Sequence, residues 1–480
     1  MKNILDQAYD PAHFRAVGHQ VIDQLADHLE ALQRREGAAI PFLPPEQSLA
    51  LWADDLEKQA GGAPIDLFQK VLQHSVQLQH PRYMGHQVCP PAPIAALGSL
   101  VDGLLNNGMA IYEMGMSATS IEQLVVREVA QAMGFSSAAG GVLTSGGTLA
   151  NLTALLAARA RKASQPVWEK GQAGAPLALL VSEEAHYCVD RAVRIMGWGS
   201  RGLIKIPVDE RYRMRHELLP AYLAKAKGEG LEVIAVVGSA CSTSTGSFDN
   251  LEALADFCEQ EALWLHVDGA HGAALSLAPK HRHVVAGLER ADSVAMDFHK
   301  MLLTPVLATA LIFRDGQDSY RTFSQQAQYL WEGQDAAEWY NLAKRTFECT
   351  KFMMGLKIYT LLRTYGFSLW EAYLDQVMAN GQAFASQVEA LPDWELAVPP
   401  QCNIVCFRYR PQGIDTAQLN AWNSRIRQAV LEDGRFYIVQ TQLGEALYLR
   451  VTLAHPHTRA ADIAELLALL ESITAGCRPR

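Results

Sequence analysis

Gly140-Gly141-Val142-Leu143-Thr144-Ser145-Gly146-Gly147-Thr148 is the stretch on which the fold turns. It reads as a short apolar strand, then a two-glycine turn flanked by hydroxyls, then a helix start running on through Leu149-Ala150-Asn151-Leu152-Thr153-Ala154-Leu155-Leu156. That order presents backbone N–H groups at a helix N-terminus, where the aligned peptide dipoles favour an anion by ~0.3–1 kcal/mol. Ser145 and Thr148 can add hydroxyl donors. The glycine spacing is not that of a dinucleotide fingerprint, and no Lys follows the second glycine as a triphosphate loop requires. On this stretch alone, a capped tight turn and a phosphate cradle are equally supported.

Outward from the turn, short runs rich in Val, Ile and Leu alternate with longer helical stretches. Strands are expected at 141–144, 177–181, 203–207, 232–237, 264–267, 294–296 and 308–313. Runs that are apolar on both faces and separated by helices indicate an α/β fold with a mostly parallel seven-stranded sheet covered on both sides. Such sheets take ligands at the carboxyl ends of their strands. On the N-terminal side, Phe14, Val17, Val21, Leu25, Leu29 and Leu32 fall on one helical stripe, read as a packing face with subunit contact as its refinement. Prolines at 41, 44 and 45, and again at 81, 90, 91 and 93, interrupt helix. The expected organisation is an N-terminal helical segment over 1–80, a large domain over 81–355 and a small α+β domain over 356–480.

The chain has 480 residues, enough for about three domains. Of these, 49% are hydrophobic and 19% charged, which supplies large cores and excludes a disordered composition. With 41 basic against 51 acidic residues the net charge is −10, so neither nucleic acid nor an anionic membrane is an expected partner. Met1-Lys2-Asn3-Ile4-Leu5-Asp6-Gln7 breaks any apolar opening run, and no later run approaches the ~18 apolar residues of a membrane span. The eight cysteines form no CxxC pair; free thiols in a cytoplasmic protein, with no metal site, are the expectation.

Two further strand ends are polar. Trp264-Leu265-His266-Val267-Asp268-Gly269-Ala270-His271 puts Asp268 where a carboxylate costs several kcal/mol unless a cation or good donors meet it. Ser293-Val294-Ala295-Met296-Asp297-Phe298-His299-Lys300 puts a lysine just past a buried strand, where desolvation would lower its pKa and free the amine. A phosphate cradle, a buried acid at a strand end and a lysine 32 residues later are together what pyridoxal 5'-phosphate needs. The lysine holds the aldehyde as an imine, the acid keeps the pyridine nitrogen protonated, and the cradle grips the phosphate. A dinucleotide has no use for such a lysine.

On these residues the sequence resembles the group II pyridoxal-phosphate decarboxylases, which act on aromatic amino acids, glutamate, cysteine sulfinate, diaminobutyrate and histidine. The resemblance runs over nearly the whole chain. It implies the fold type I, aspartate-aminotransferase-like architecture and a homodimer whose sites are shared between subunits. Asp297-Phe298-His299-Lys300 matches the family's lysine motif, which implies Lys300 as the imine lysine and places His299 near the phosphate. His266-Val267-Asp268-Gly269-Ala270 matches the strand motif that assigns Asp268 to the pyridinium and Ala270 to one ring face. Ser182-Glu183-Glu184-Ala185-His186 is similar to the segment whose histidine, here His186, stacks on the other face.

The same resemblance puts Thr243, in Ser242-Thr243-Ser244-Thr245-Gly246, on the threonine that contacts the cofactor. It makes Ser145, Gly146, Gly147 and Thr148 the phosphate cradle, and Tyr329 the catalytic tyrosine of a mobile loop. It directs Arg450 at a substrate carboxylate. What it implies is an L-amino acid α-decarboxylase, in which Tyr329 returns a proton to Cα after carbon dioxide leaves. The Asp-x-His-Lys form leans towards a diamino acid such as 2,4-diaminobutyrate, ahead of acidic and then aromatic substrates. Rivals are an aminotransferase or lyase using the same cofactor, and a non-catalytic dimeric scaffold. Asp297-Phe298 stands where many members have Asn-Pro, Met301 where aromatic-type members have Trp, and His271 where several have an aromatic residue.

Overall fold

The computed structural model describes residues 3–58, 61–323 and 338–476. Seven strands form one sheet: β1 Gly140–Thr144, β2 Leu177–Ser182, β3 Leu203–Ile206, β4 Glu232–Ser239, β5 Trp264–Asp268, β6 Ser293–Asp297 and β7 Thr309–Phe313. Their order is β1-β7-β6-β5-β4-β2-β3. β3, β2, β4, β5 and β6 pair in parallel, while β7 runs antiparallel to both β6 and β1. Each expected strand is present, with ends shifted by one or two residues.

Burial explains why these segments are strands. Every residue of β2, β5, β6 and β7 is buried, so largely apolar runs with their backbone paired on both sides are stable there, and the polar residues they carry sit at or near strand ends with partners. The helix Gly147–Lys162 lies across the sheet through Ala150, Ala154, Ala157 and Ala158, small residues that permit close approach, with Leu155 filling the space between. Arg159, Arg161 and Lys162 in its last turn complement the helix dipole and leave the positive pole at the glycine turn.

The chain divides into two compact units. One comprises Gln87–Ala385 with Leu396–Cys406 and contains the seven-stranded sheet. The other comprises Met1–His86, Ser386–Glu395 and Phe407–Arg480. A second sheet of four strands, β8 Trp394–Leu396, β9 Ile404–Tyr409, β10 Val439–Leu443 and β11 Ala446–Thr452, has the order β10-β11-β9-β8. Within the second unit the N-terminal helices are tied to the C-terminal helix by Arg35, whose guanidinium donates to both oxygens of Asp462 at 2.8 Å.

Among the described residues the apolar stripe of the helix Pro11–Gln33 is covered only in part, with Val17, Val21 and Leu29 half-buried. Phe14 is 53% exposed and Leu25 38%, and Leu32 is the single buried residue of that helix. In the large unit the helix Pro93–Leu105 leaves Leu100 and Leu104 52% and 68% exposed. Among the described residues no helix is long and apolar enough to cross a membrane. Seven cysteines lie among these residues, all free.

Candidate active site

β1 to β6 all run in the same direction and end at the same edge of the sheet, and five of these ends continue into a polar side chain. β1 leads to Ser145, β2 to His186, β4 to Thr243, β5 ends on Asp268, and β6 ends on Asp297 three residues before Lys300. β7 runs the other way, so it is its first residue that reaches this edge; Thr309 pairs with Thr144 on one side and Asp297 on the other. Parallel topology therefore gathers side chains far apart in sequence.

The glycine turn is built as a receptor for an anion. Gly146 stands at the N-cap with φ +121°, a conformation L side chains rarely adopt, and no side chain caps the helix. A Cβ on Gly147 would lie 3.3 and 3.4 Å from the two carboxylate oxygens of Asp297 and 3.5 Å from the methyl of Ala270, so a side chain there would crowd Asp297. Thr148 is exposed at the second helical position. Ser145 Oγ donates to Glu348 Oε1 at 2.7 Å.

β1, which carries the turn, is braced from below. Lys351 Nζ reaches Glu122 Oε1 at 2.5 Å and the Leu143 carbonyl at 2.6 Å, and the Leu143 N–H donates to the same Glu122 oxygen. Arg345 donates to the Gly141 carbonyl at 2.9 Å.

Asp268 is buried at the end of β5. Its carboxylate accepts from the Ala270 N–H at 3.3 Å, and its Oδ2 lies 3.9 Å from Cys188 Sγ. Ligand atoms of His186, Cys188 and Asp268 fall within 4.8 Å of one another. Burial lowers the pKa of His186, opposed by Asp268, and burial pushes the Cys188 thiol up to about 12.

A second tier holds this group in place. His266, fully buried on β5, has Nε2 2.6 Å from Asn151 Oδ1 and Nδ1 2.9 Å from Ser293 Oγ. Burial lowers its pKa to about 4, so the ring is neutral and its two nitrogens divide donor and acceptor roles between these partners. Asn151 Nδ2 in turn donates to Cys188 Sγ at 3.3 Å. The acid strand, the cradle helix and the His186 segment are thus linked through one buried chain of hydrogen bonds.

Lys300 departs from expectation in its charge. Its Nζ lies 2.9 Å from Asp297 Oδ2. Burial is the largest single influence and pulls its pKa down as the sequence suggested, but Asp297, with smaller help from Asp268 and Cys241, turns the net direction upward. The same contact, with His299, holds Asp297 below the usual carboxylate range against the cost of its own burial. His299 is buried, with Nδ1 3.1 Å from the Ala308 carbonyl and Nε2 3.5 Å from Asp297 Oδ2.

The large unit therefore brings together Ser145, Gly146, Gly147, Ala270, Asp268, His186, His299 and Lys300. Thr243 is half-buried in the turn after β4, where its carbonyl accepts from Gln87 Nε2 at 3.4 Å. Arg450 belongs to the other unit, on β11 opposite Val439, and lowers the pKa of His86 there, after burial the next largest cause. Tyr329 lies outside the described residues. Sequence reasoning missed Asp297, Glu348, Asn151 and Lys351 as members of the site or its support.

A glycine anion cradle facing a buried acid and a lysine at one sheet edge is the donor set of a pyridoxal-phosphate enzyme. Gly147 lets the backbone come close to Asp297 without crowding, the backbone N–H groups at the helix start suit a phosphate, and Lys300 can reach an aldehyde. Comparison with known proteins gives the family. Residues 64–410 match the pyridoxal-dependent decarboxylase conserved domain, and the chain belongs to that family. It is a pyridoxal-phosphate-dependent amino acid decarboxylase, a carboxy-lyase.

Relatives cover most of its length. The L-2,4-diaminobutyrate decarboxylase of Rhizobium meliloti is 31% identical over 411 residues, covering 84% of this chain and 80% of the relative. The aromatic-L-amino-acid decarboxylase of Bacillus atrophaeus is 26% identical over 473 residues, covering 96% and 95%. A crystal structure of mouse CSAD superposes with a TM-score of 0.89 at 27% identity, covering 97% of this chain and 99% of that one.

Proposed function

We propose that this decarboxylase acts on a diamino acid of the 2,4-diaminobutyrate kind, releasing carbon dioxide and the corresponding amine. Acidic amino acids (glutamate, aspartate or cysteine sulfinate) and then aromatic ones are the alternatives. The observation that carries the reading is the Asp297-x-His299-Lys300 end of β6, joined by the 31% identity to a diaminobutyrate decarboxylase.

When bound, pyridoxal phosphate supplies an aldehyde that an amine can hold and a protonated ring that accepts the electron pair released at Cα. The residues divide the remaining work. Ser145, Gly146, Gly147 and Thr148 grip the phosphate, with His299 beside it and Thr243 a further contact. Asp268 would keep the ring nitrogen protonated, and His186 and Ala270 would hold the ring. Lys300 would hold the aldehyde.

How the residues orient the substrate would select which bond at Cα breaks. Arg450 directs a substrate carboxylate, and Tyr329 delivers the proton to Cα. We place the enzyme in the cytoplasm as a homodimer with shared sites. The exposed stripes on the helices Pro11–Gln33 and Pro93–Leu105 support a second subunit.

The test is a screen of the twenty common amino acids with diaminobutyrate and cysteine sulfinate, reading released carbon dioxide and amine. Diaminobutyrate should give the highest kcat/KM. Preference for an acidic or aromatic substrate would replace the proposed one, and keto acid without carbon dioxide would contradict decarboxylation itself.

A further inference from the structure

Asp297 is the buried carboxylate that the roles above leave unused. It closes β6, it is 2% exposed, and both its oxygens are engaged: Thr309 Oγ1 donates to Oδ1 at 2.5 Å, and Lys300 Nζ sits 2.9 Å from Oδ2. Its own N–H donates to the Ala270 carbonyl at 3.0 Å, so neither backbone nor side chain has freedom to swing. The same oxygens face the glycine turn, within 3.3–3.4 Å of where a Gly147 side chain would begin. A fixed anion at the foot of a phosphate cradle opposes the phosphate. Its other neighbour is the Lys300 ammonium.

We propose that Asp297 is a positioning residue that captures Lys300 as an ammonium whenever the lysine is not bonded to the cofactor; this rests on the cofactor reading above. To form its bond, the ammonium gives up one proton to solvent. The freed electron pair then adds to the aldehyde carbon, and the carbonyl oxygen departs as water. When a substrate amine displaces Lys300, the lysine regains a proton and returns to Asp297, 2.9 Å away, instead of re-attacking. The pair thus favours substrate attachment at the expense of slower cofactor loading.

Other groups act on the same ammonium: Asp268 from β5, Cys241 from the turn after β4, His186 and Cys188 from the helix start after β2, and the adjoining His299. Asp297 is the one within ion-pair distance among the described residues.

The test uses apoprotein and follows the visible absorbance of the lysine–aldehyde bond against pH. Wild type should load slowly at neutral pH, with a midpoint above the ordinary lysine range. In Asp297→Asn the midpoint should fall by about one to three pH units, the range for losing an opposite charge at contact, and neutral-pH loading should speed up tenfold or more. Asp297→Glu should restore most of the upward shift. Pyridoxal, which lacks the phosphate, should show the same shift; one confined to pyridoxal phosphate would mean that Asp297 acts on the phosphate, overturning the proposal. An unmoved midpoint in the Asn variant would also overturn it.

Should that variant not fold, wild-type apoprotein still decides. Reductive trapping with pyridoxal and peptide mapping should find Lys300 less reactive at neutral pH than exposed lysines, and the reverse order would refute capture. Absence of any visible band in wild type would instead sink the cofactor assignment itself.

Discussion

The carboxyl edge of the seven-stranded sheet and the N-terminal helices obey opposite rules. At the edge, apolar strands are fully buried and each ends in a polar group that finds a partner in the same unit. Along the helix Pro11–Gln33 the apolar residues are as regularly spaced, yet Phe14 and Leu25 stay exposed and Val17, Val21 and Leu29 are only half-buried. Periodicity reports that a face is apolar; it does not report what covers it. Burial at the sheet edge is what gives an ion pair or a neutral histidine its strength.

The largest effect that would separate the two regions is at Lys300. Lys300→Ala removes the amine that holds the cofactor and leaves Asp297 without its cation. Turnover should fall by at least about 10²–10⁴-fold and the visible band should disappear, read by spectroscopy and carbon dioxide release. Near-normal kinetics in that variant would remove the sheet edge from the chemistry.

Leu25→Asp is the corresponding attack on the helical region. A charge on the exposed stripe costs this chain little, because Leu25 is 38% exposed, but it would oppose a second copy. The expected outcome is a shift to monomer in sedimentation or size-exclusion measurements, with the α-helical signal kept and activity lost in proportion to the dimer. A variant that stays dimeric would mean that the stripe is not the contact. Activity retained in a monomer would mean that each site is complete within one chain.

The fold was largely legible because a doubly covered parallel sheet writes each strand as a continuous apolar run. All seven strands of the large unit stood out for that reason. β10 did not: Val439 and Leu443 are buried, while Gln440, Thr441 and Gln442 between them are not, so the segment has no apolar run to notice. In the site, Asp268 and Lys300 were readable because a charge at the end of a buried strand is costly and therefore conspicuous.

The sign of the Lys300 shift was not readable. Desolvation can be guessed from one strand, but the outcome depends on where the Asp297 carboxylate points, and that is fixed by Thr309 on a different strand. Glu348 and Lys351 were missed for the same reason, since their partners Ser145, Glu122 and Leu143 lie about two hundred residues earlier.

The smallest effect sharpens the comparison most, because it tests burial without touching the reacting groups. Asn151 accepts from or donates to His266 and Cys188, and none of the three is open to solvent. In Asn151→Ala, His266 Nε2 loses its partner in a place water does not replace it, costing about 1–3 kcal/mol of stability. Denaturant unfolding should show a lower midpoint with an unchanged slope, and turnover should fall severalfold as the acid strand loosens against the cradle helix. A comparable truncation of an exposed polar residue on the helix Pro11–Gln33, such as Gln20→Ala, should change stability by no more than about 0.5 kcal/mol. Equal costs at the two places would mean that the buried chain of hydrogen bonds does not hold the edge together.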